Sequence, residues 1–293
     1  MEYALVWPLW QIFRIMPRAG IRRISLWILR AIVLGMPKRR RLMRMNIALA
    51  FPKWGSCEVR KIADDSLDNL ARGISIFVHM PSLLKQADLP WLHYQGSEHL
   101  KQALSLGRGV IAFNAHFGCW EISSSYVMRQ GKEVAALYRP LDNPKINELV
   151  TRQRCAQGGV MMDRRRAIRE GLSLLRRNGV LGIMVDQNFA GGGVFVDFFG
   201  RPAATTPIVS IMARRTGAIV LPMHSWWEKD ELFLQWDPAF ELSRNADAER
   251  AIAEDTQRMT RVVEGWIRER PGQWLWLHNR WKRKPLEGEP VFS

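Results

Sequence analysis

The N-terminal fifty residues contain no long apolar run, which excludes the simplest kind of membrane anchor. The longest uncharged stretch there, Tyr3 to Phe13, is eleven residues, whereas a spanning helix needs roughly 18–20. Cysteine is scarce: Cys57, Cys119 and Cys155 are odd in number and show no pair spacing. They form neither a disulfide framework nor a zinc site, and a reducing compartment is expected. The run Gly191-Gly192-Gly193 lacks the Lys-Ser/Thr ending of a phosphate loop and the spacing of a dinucleotide fingerprint. No Ala-x-Ala-like cleavage site occurs in the first thirty positions, where arginines recur at 14, 18, 22, 23 and 30, so a secretory signal is not expected. There is no internal repeat. Acidic residues are the minority, 28 Asp+Glu against 43 Lys+Arg, for a net charge of +15.

That surplus calls for an anionic partner. The basic residues are dispersed and no recognition motif accompanies them, so nucleic acid is not the expected one. Thirteen tryptophans turn the expectation toward a membrane surface, where an amphipathic ring sits well. Trp7, Trp10, Phe13, Ile24, Trp27 and Leu29 interleave with arginine, as in helices lying in the interface plane. Lys38-Arg39-Arg40-Arg41 with Arg44 then forms a headgroup contact. A solvated basic face docked on the main domain is the plainer alternative.

Pro8, Pro17, Pro37 and Pro52 are expected to divide residues 1–50 into short helices. Apolar periodicity predicts a helix from Glu58 to Leu84. From about residue 94 strands and helices alternate. Strands are expected at Gly109–Phe113, Val134–Tyr138, Val180–Val185, Val194–Phe198, Ile219–Met223 and Leu232–Trp236. Helices are expected at Cys119–Arg129, Lys145–Gln157, Arg165–Arg177, Pro207–Thr216 and Ala248–Glu269. The fold class is therefore α/β, a largely parallel sheet covered by helices on both faces. Residues 1–50 would be a membrane-associating segment and 51–293 the main domain, with a helical lead-in to about 95.

The chemistry centres on Asn114-Ala115-His116-Phe117-Gly118-Cys119-Trp120-Glu121, which leaves the apolar run 109–113. In one continuous helix, five residues at about 100° each would set His116 and Glu121 roughly 140° apart. They converge only if His116 lies in a turn, which Gly118 permits, and the helix starts after it. A carboxylate beside an imidazole fixes its tautomer and raises its basicity, as a general base requires. Cys119 is not expected to act as a nucleophile, since no further histidine points to it. Further along, Asp186 ends an apolar strand at the mouth of a parallel sheet. Arg139 lies in Tyr138-Arg139-Pro140, and Arg152 and Arg154 lie on the next helix. Phe198-Phe199-Gly200 and Trp276-Leu277-His278-Asn279-Arg280-Trp281 complete the set. Trp274 and Trp276 are expected to be core.

Taken in order, from Arg39-Arg40-Arg41, Asn46 and Phe51-Pro52 to Trp281, these blocks resemble the lipid A biosynthesis acyltransferase family. These are the bacterial late acyltransferases, which include relatives acting on phosphatidylinositol mannosides. The resemblance implies a glycerol-phosphate-acyltransferase-like fold. It also implies an enzyme moving a fatty acyl group from an acyl carrier protein thioester, or from acyl-CoA, to a hydroxyl of an anionic glycolipid. His116 and Glu121 fall on the family's His-x4-Glu pair; Arg154 and Asp186 match its essential arginine and aspartate; Arg139 falls in its Tyr-Arg-Pro block. Cys119 departs from the asparagine common there. The expected partners are acyl carrier protein, the glycolipid and the membrane surface, at the cytoplasmic face of the bacterial inner membrane, attached peripherally rather than spanning. No metal or cofactor is expected, because a thioester is already activated.

On this reading His116 is the base, Glu121 holds its ring, and backbone N–H groups of the helix after His116 receive the oxyanion. Arg154 could join there, bind an acceptor phosphate or position Glu121. Asp186 partners an arginine or His116. An apolar channel for the acyl chain is sought near Phe198, Phe199 or Trp226. Acylation of a lysophospholipid, a mannosylated phosphoinositide or an ornithine-type lipid is the alternative within the enzyme class. A non-catalytic basic membrane-binding protein is the alternative outside it.

Overall fold

The computed structural model describes residues 2–86, 88–156, 158–163 and 167–293. The N-terminal part forms α1 (Glu2–Ile15), α2 (Arg18–Gly35), α3 (Pro37–Ala50) and α4 (Ser56–Leu83). Pro17 precedes α2 and Pro37 opens α3, positions where a missing N–H costs nothing. Pro8 does not divide its helix, contrary to expectation: α1 runs through it. Pro8 and Ala4, the residue whose carbonyl it leaves free, are both exposed, so water can take that carbonyl.

The remainder alternates as expected, through β1 (Leu92–Gln95), α5 (Ser97–Ser105), β2 (Val110–Asn114), α6 (Ser125–Arg129), β3 (Val134–Tyr138), α7 (Pro144–Cys155), β4 (Val160–Asp163), α8 (Ala167–Arg176) and β5 (Val180–Met184). Then follow β6 (Val194–Asp197), β7 (Pro202–Thr205), α9 (Ile208–Thr216), β8 (Ile219–Glu228), β9 (Glu231–Trp236), α10 (Ala248–Glu269) and β10 (Val291–Phe292). Of the expected helices, Gln157, Arg165 and Arg166 lie outside the described residues. Strands β1, β4, β7 and β10, each four residues or fewer, were not expected from the sequence.

The seven-stranded sheet has the order β1-β9-β8-β2-β5-β3-β4. Its neighbours are parallel except β8 and β9, which form an antiparallel pair. Val110 and Ala112 of β2 feed one apolar core, while Ile111 and Phe113 feed the other. Alternation along a buried strand thus supplies both faces. Helices α5 and α6 cover the first face; α3, α8, α9, α10 and the C-terminal tryptophans cover the second, and α4 contributes to both. Val194–Asp197 is not part of this sheet; it pairs with β7 and β10 in a small second one.

Candidate active site

Strands β2 and β5 are parallel neighbours with Asn114 level with Met184. Two residues on, at the carboxyl ends of both strands, the same register sets His116 opposite Asp186. The two meet at two points, and Trp274 adds a third contact to Asp186. His116 Nδ1 lies 2.9 Å from Asp186 Oδ1, and the His116 backbone N–H donates to Oδ2 at 2.9 Å. The Trp274 indole N–H donates to the same Oδ2 at 2.8 Å. The Asp186 side chain is 2% exposed and that of His116 19%. Burial alone would raise the Asp186 pKa, but the His116 ring, the Trp274 indole and the His116 amide outweigh it and hold the carboxyl at about 2. Asp186 is therefore an anion that can only accept, and it places the ring proton on Nδ1.

The expectation that Glu121 holds the His116 ring is corrected here: Asp186 does. Glu121 accepts from Arg154 instead, Nε to Oε2 at 2.9 Å and a terminal nitrogen to Oε1 at 2.5 Å. Burial opposes the Arg154 charge, but the hydrogen bonds and field of Glu121 prevail and hold its pKa above the ordinary value. Between the two pairs stands Trp120. Its ring meets His116 edge-on at 5.3 Å, and its N–H donates to Glu121 Oε1 at 3.2 Å. Asp186, His116, Trp120, Glu121 and Arg154 thus form one line of contacts. Arg139 is not brought into it: the side chain is 71% exposed and pairs with Asp142.

The turn after His116 explains the change of partner. Gly118 has φ +59°, and a Cβ there would fall 1.8 Å from the Ser225 carbonyl oxygen, so only glycine fits. Phe117 forms a bridge with Trp274, and Leu275 N–H donates to His116 O at 3.0 Å. These contacts draw the turn onto the C-terminal segment. No long helix follows: a 3₁₀ turn, Trp120–Ile122, precedes the short α6. The backbone donors expected for an oxyanion are partly committed, Gly118 N–H to Gln273 O at 2.9 Å and Cys119 N–H to Ser225 Oγ at 3.0 Å. Cys119 itself is fully buried, and burial, followed by the charge of Glu121, pushes its thiol up to about 12. It is no nucleophile at neutral pH.

The C-terminal segment is a strap across the strand ends. Asn46 of α3 donates to the carbonyls of Trp276 at 2.9 Å and His278 at 2.7 Å. His278 Nε2 accepts from Asn188 N–H at 2.9 Å. Arg280, wholly buried, donates to Ala204 O at 2.7 Å and Thr205 Oγ1 at 2.5 Å. Trp274 and Trp276 are buried as expected, but the hydrogen bond from Trp274 to Asp186 was not legible in a residue type that packs so well. Trp120 was missed for the same reason. Phe198 packs on Trp274 and Trp281, and Phe199 on Phe51 and Trp276. Trp226 stacks on His224 and Phe233. All three belong to aromatic packing rather than lining an open channel. Among the described residues no group of three or more His, Cys, Asp or Glu side chains is placed to hold a metal ion.

Comparison with known proteins identifies the family. The sequence model described as "Bacterial lipid A biosynthesis acyltransferase" matches residues 1–283. The chain is 27% identical to the lipid A biosynthesis lauroyltransferase of Escherichia coli, over 99% of this chain and 94% of that protein. It is 26% identical to a lipid A biosynthesis acyltransferase of Haemophilus influenzae, over 82% and 74% of the respective chains. With the lipid A biosynthesis myristoyltransferase of Escherichia coli it shares 25% identity, over 88% and 79%. The chain belongs to the bacterial lipid A biosynthesis acyltransferase family.

Proposed function

We propose that this acyltransferase moves a fatty acyl group from a thioester of acyl carrier protein, or of coenzyme A, to a hydroxyl of an anionic lipid A precursor, with His116 as general base and Asp186 as its orienting anion. The pairing of His116 Nδ1 with Asp186 at 2.9 Å carries this reading, because it leaves Nε2 with the lone pair that a base needs. The acceptor oxygen attacks the thioester carbon while its proton passes to Nε2. The new C–O bond forms, and the carbonyl electron pair moves onto oxygen. On collapse the C=O re-forms, the C–S bond breaks, and the thiolate takes the proton back from Nε2. Asp186 stabilises the imidazolium in between. The products are an ester and a thiol, and no electron is exchanged.

Glu121 acts on His116 through Trp120, whose N–H it accepts and whose edge meets the imidazole. Arg154, held in two-point contact by Glu121 and 28% exposed, offers its outer face to an anionic group of a substrate. The helices α1 to α3 would lie on the cytoplasmic leaflet. No helix among the described residues is long and apolar enough to cross a membrane, yet Trp27 is 73% and Ile15 86% exposed.

The test is acyl transfer by purified enzyme, with acyl carrier protein and coenzyme A donors and a panel of lipid acceptors, read by mass spectrometry. His116→Ala and Asp186→Asn should each lower kcat by about 10³–10⁴. Wild-type transfer by His116→Ala would sink the mechanism, and transfer confined to another lipid class would replace the acceptor.

A further inference from the structure

One polar contact at the reacting nitrogen has no part in the proton path above. Gln187 Nε2 lies 3.3 Å from His116 Nε2. Because Asp186 holds the ring proton on Nδ1, His116 Nε2 can only accept, so the amide of Gln187 is the donor. The flipped amide would set two acceptors against each other. The main chain around Gln187 is tied down, its carbonyl to Arg280 at 3.4 Å and the next N–H to His278 at 2.9 Å. Its side chain, in contrast, is exposed. A fixed backbone therefore carries an exposed amide to the one nitrogen that must receive the proton of the acceptor.

We propose that Gln187 is a further catalytic residue: its amide occupies His116 Nε2 in the empty enzyme and is handed to the thioester oxygen when the acceptor hydroxyl arrives. This inference rests on the acyl-transfer mechanism above. His116 Nε2 has one lone pair, so a hydroxyl donating to it displaces the amide. The displaced amide keeps its donors beside the atoms where negative charge develops. The Gly118 and Cys119 amides, close in the chain, are committed to Gln273 and Ser225, which leaves room for a side-chain donor to the oxyanion. As the C–O bond forms, the oxygen that gains the carbonyl pair accepts the Gln187 N–H; no proton leaves Gln187, and the bond is released when the C=O re-forms.

The test is steady-state kinetics of Gln187→Ala and of Gln187→Met, which keeps most of the length and removes the donor. Loss of one oxyanion donor costs about 10²–10³ in kcat, and both variants should show a fall of that order. KM and the melting temperature should be nearly unchanged, since the side chain is exposed. A fall in kcat of less than about tenfold, or a rise, overturns the proposal, because an amide that merely covers Nε2 would slow the wild type. Asp186→Asn in the same series separates the failures. If it is inactive while Gln187→Met is active, only this inference falls; if it is active, the His116–Asp186 mechanism falls.

Discussion

His116 and His224 show how far one residue type is remade by its surroundings. His116 stands at a strand end with an anion on one nitrogen and an exposed amide on the other. His224 is 9% exposed, stacked between Trp226 at 5.1 Å and Trp266 at 4.5 Å. Its Nδ1 is buried without a partner, and the nearest carboxylate, Asp237, is 3.8 Å away, too far to hydrogen-bond. Burial, helped by the charge of Arg270, pushes its pKa down to about 3. A depressed histidine pKa means that the unfolded chain takes the proton first. The stability is fully present above the unfolded value near 6.5 and is lost as pH falls from there toward 3. Between pH 7 and 5 this one residue should cost roughly 2 kcal/mol. Urea unfolding of His224→Phe across that range should show a shallower loss than the wild type. Parallel curves for the two proteins would mean that His224 is not a source of acid lability.

At the scale of elements, the site is two strand ends, a turn and a strap. Arg280 of the strap is protonated although buried: desolvation lowers its pKa to about 10, with Asp186 working in the opposite direction. It also lies 5.1 Å over the Phe198 ring. Arg280→Met would take one donor from the Ala204 carbonyl, which keeps the Phe189 N–H at 3.0 Å, and leave the Thr205 hydroxyl oxygen without its donor, a loss on the order of 2 kcal/mol. The urea midpoint should drop accordingly with an unchanged slope, and a loss under about 1 kcal/mol would show the strap to be held by its tryptophans alone. The elements themselves were largely legible. Strand β3 and helix α10 have the predicted bounds because their apolar periods are unbroken. The segment after His116 was not, since Cys119–Arg129 has helical composition while the bridge to Trp274, far along the chain, holds its start out of the helix. Partner choice was hidden for the same reason. Glu121 is five residues from His116 and Asp186 seventy, but sheet register, which no local pattern encodes, brings the distant one nearer.

The whole molecule concentrates apolar exposure and positive charge on its N-terminal helices. Ile21 and Val33 of α2 face inward, while Trp27, Ile32 and Leu34 are 50–73% exposed, and Leu5 and Ile15 of α1 are 76% and 86% exposed. Next to them α3 carries Lys38, Arg39, Arg41 and Arg44, all exposed, and Arg39 donates to the Leu277 carbonyl of the strap at 3.4 Å. The charged end of this layer therefore meets the strap that crosses the strand ends, as the transfer to an anionic lipid proposed above requires. Each basic residue near an anionic surface contributes about 1 kcal/mol, so Arg41→Ala with Arg44→Ala should weaken binding to anionic vesicles roughly thirtyfold. Trp27→Ser should weaken binding to neutral and anionic vesicles alike, since its contribution is apolar area. Co-flotation with vesicles of each composition, at low and high salt, separates the two terms. If the double arginine variant floats as well as the wild type at low salt, the basic run does not face lipid. The cluster beside the strap would then be left to the other anionic partner proposed here, acyl carrier protein.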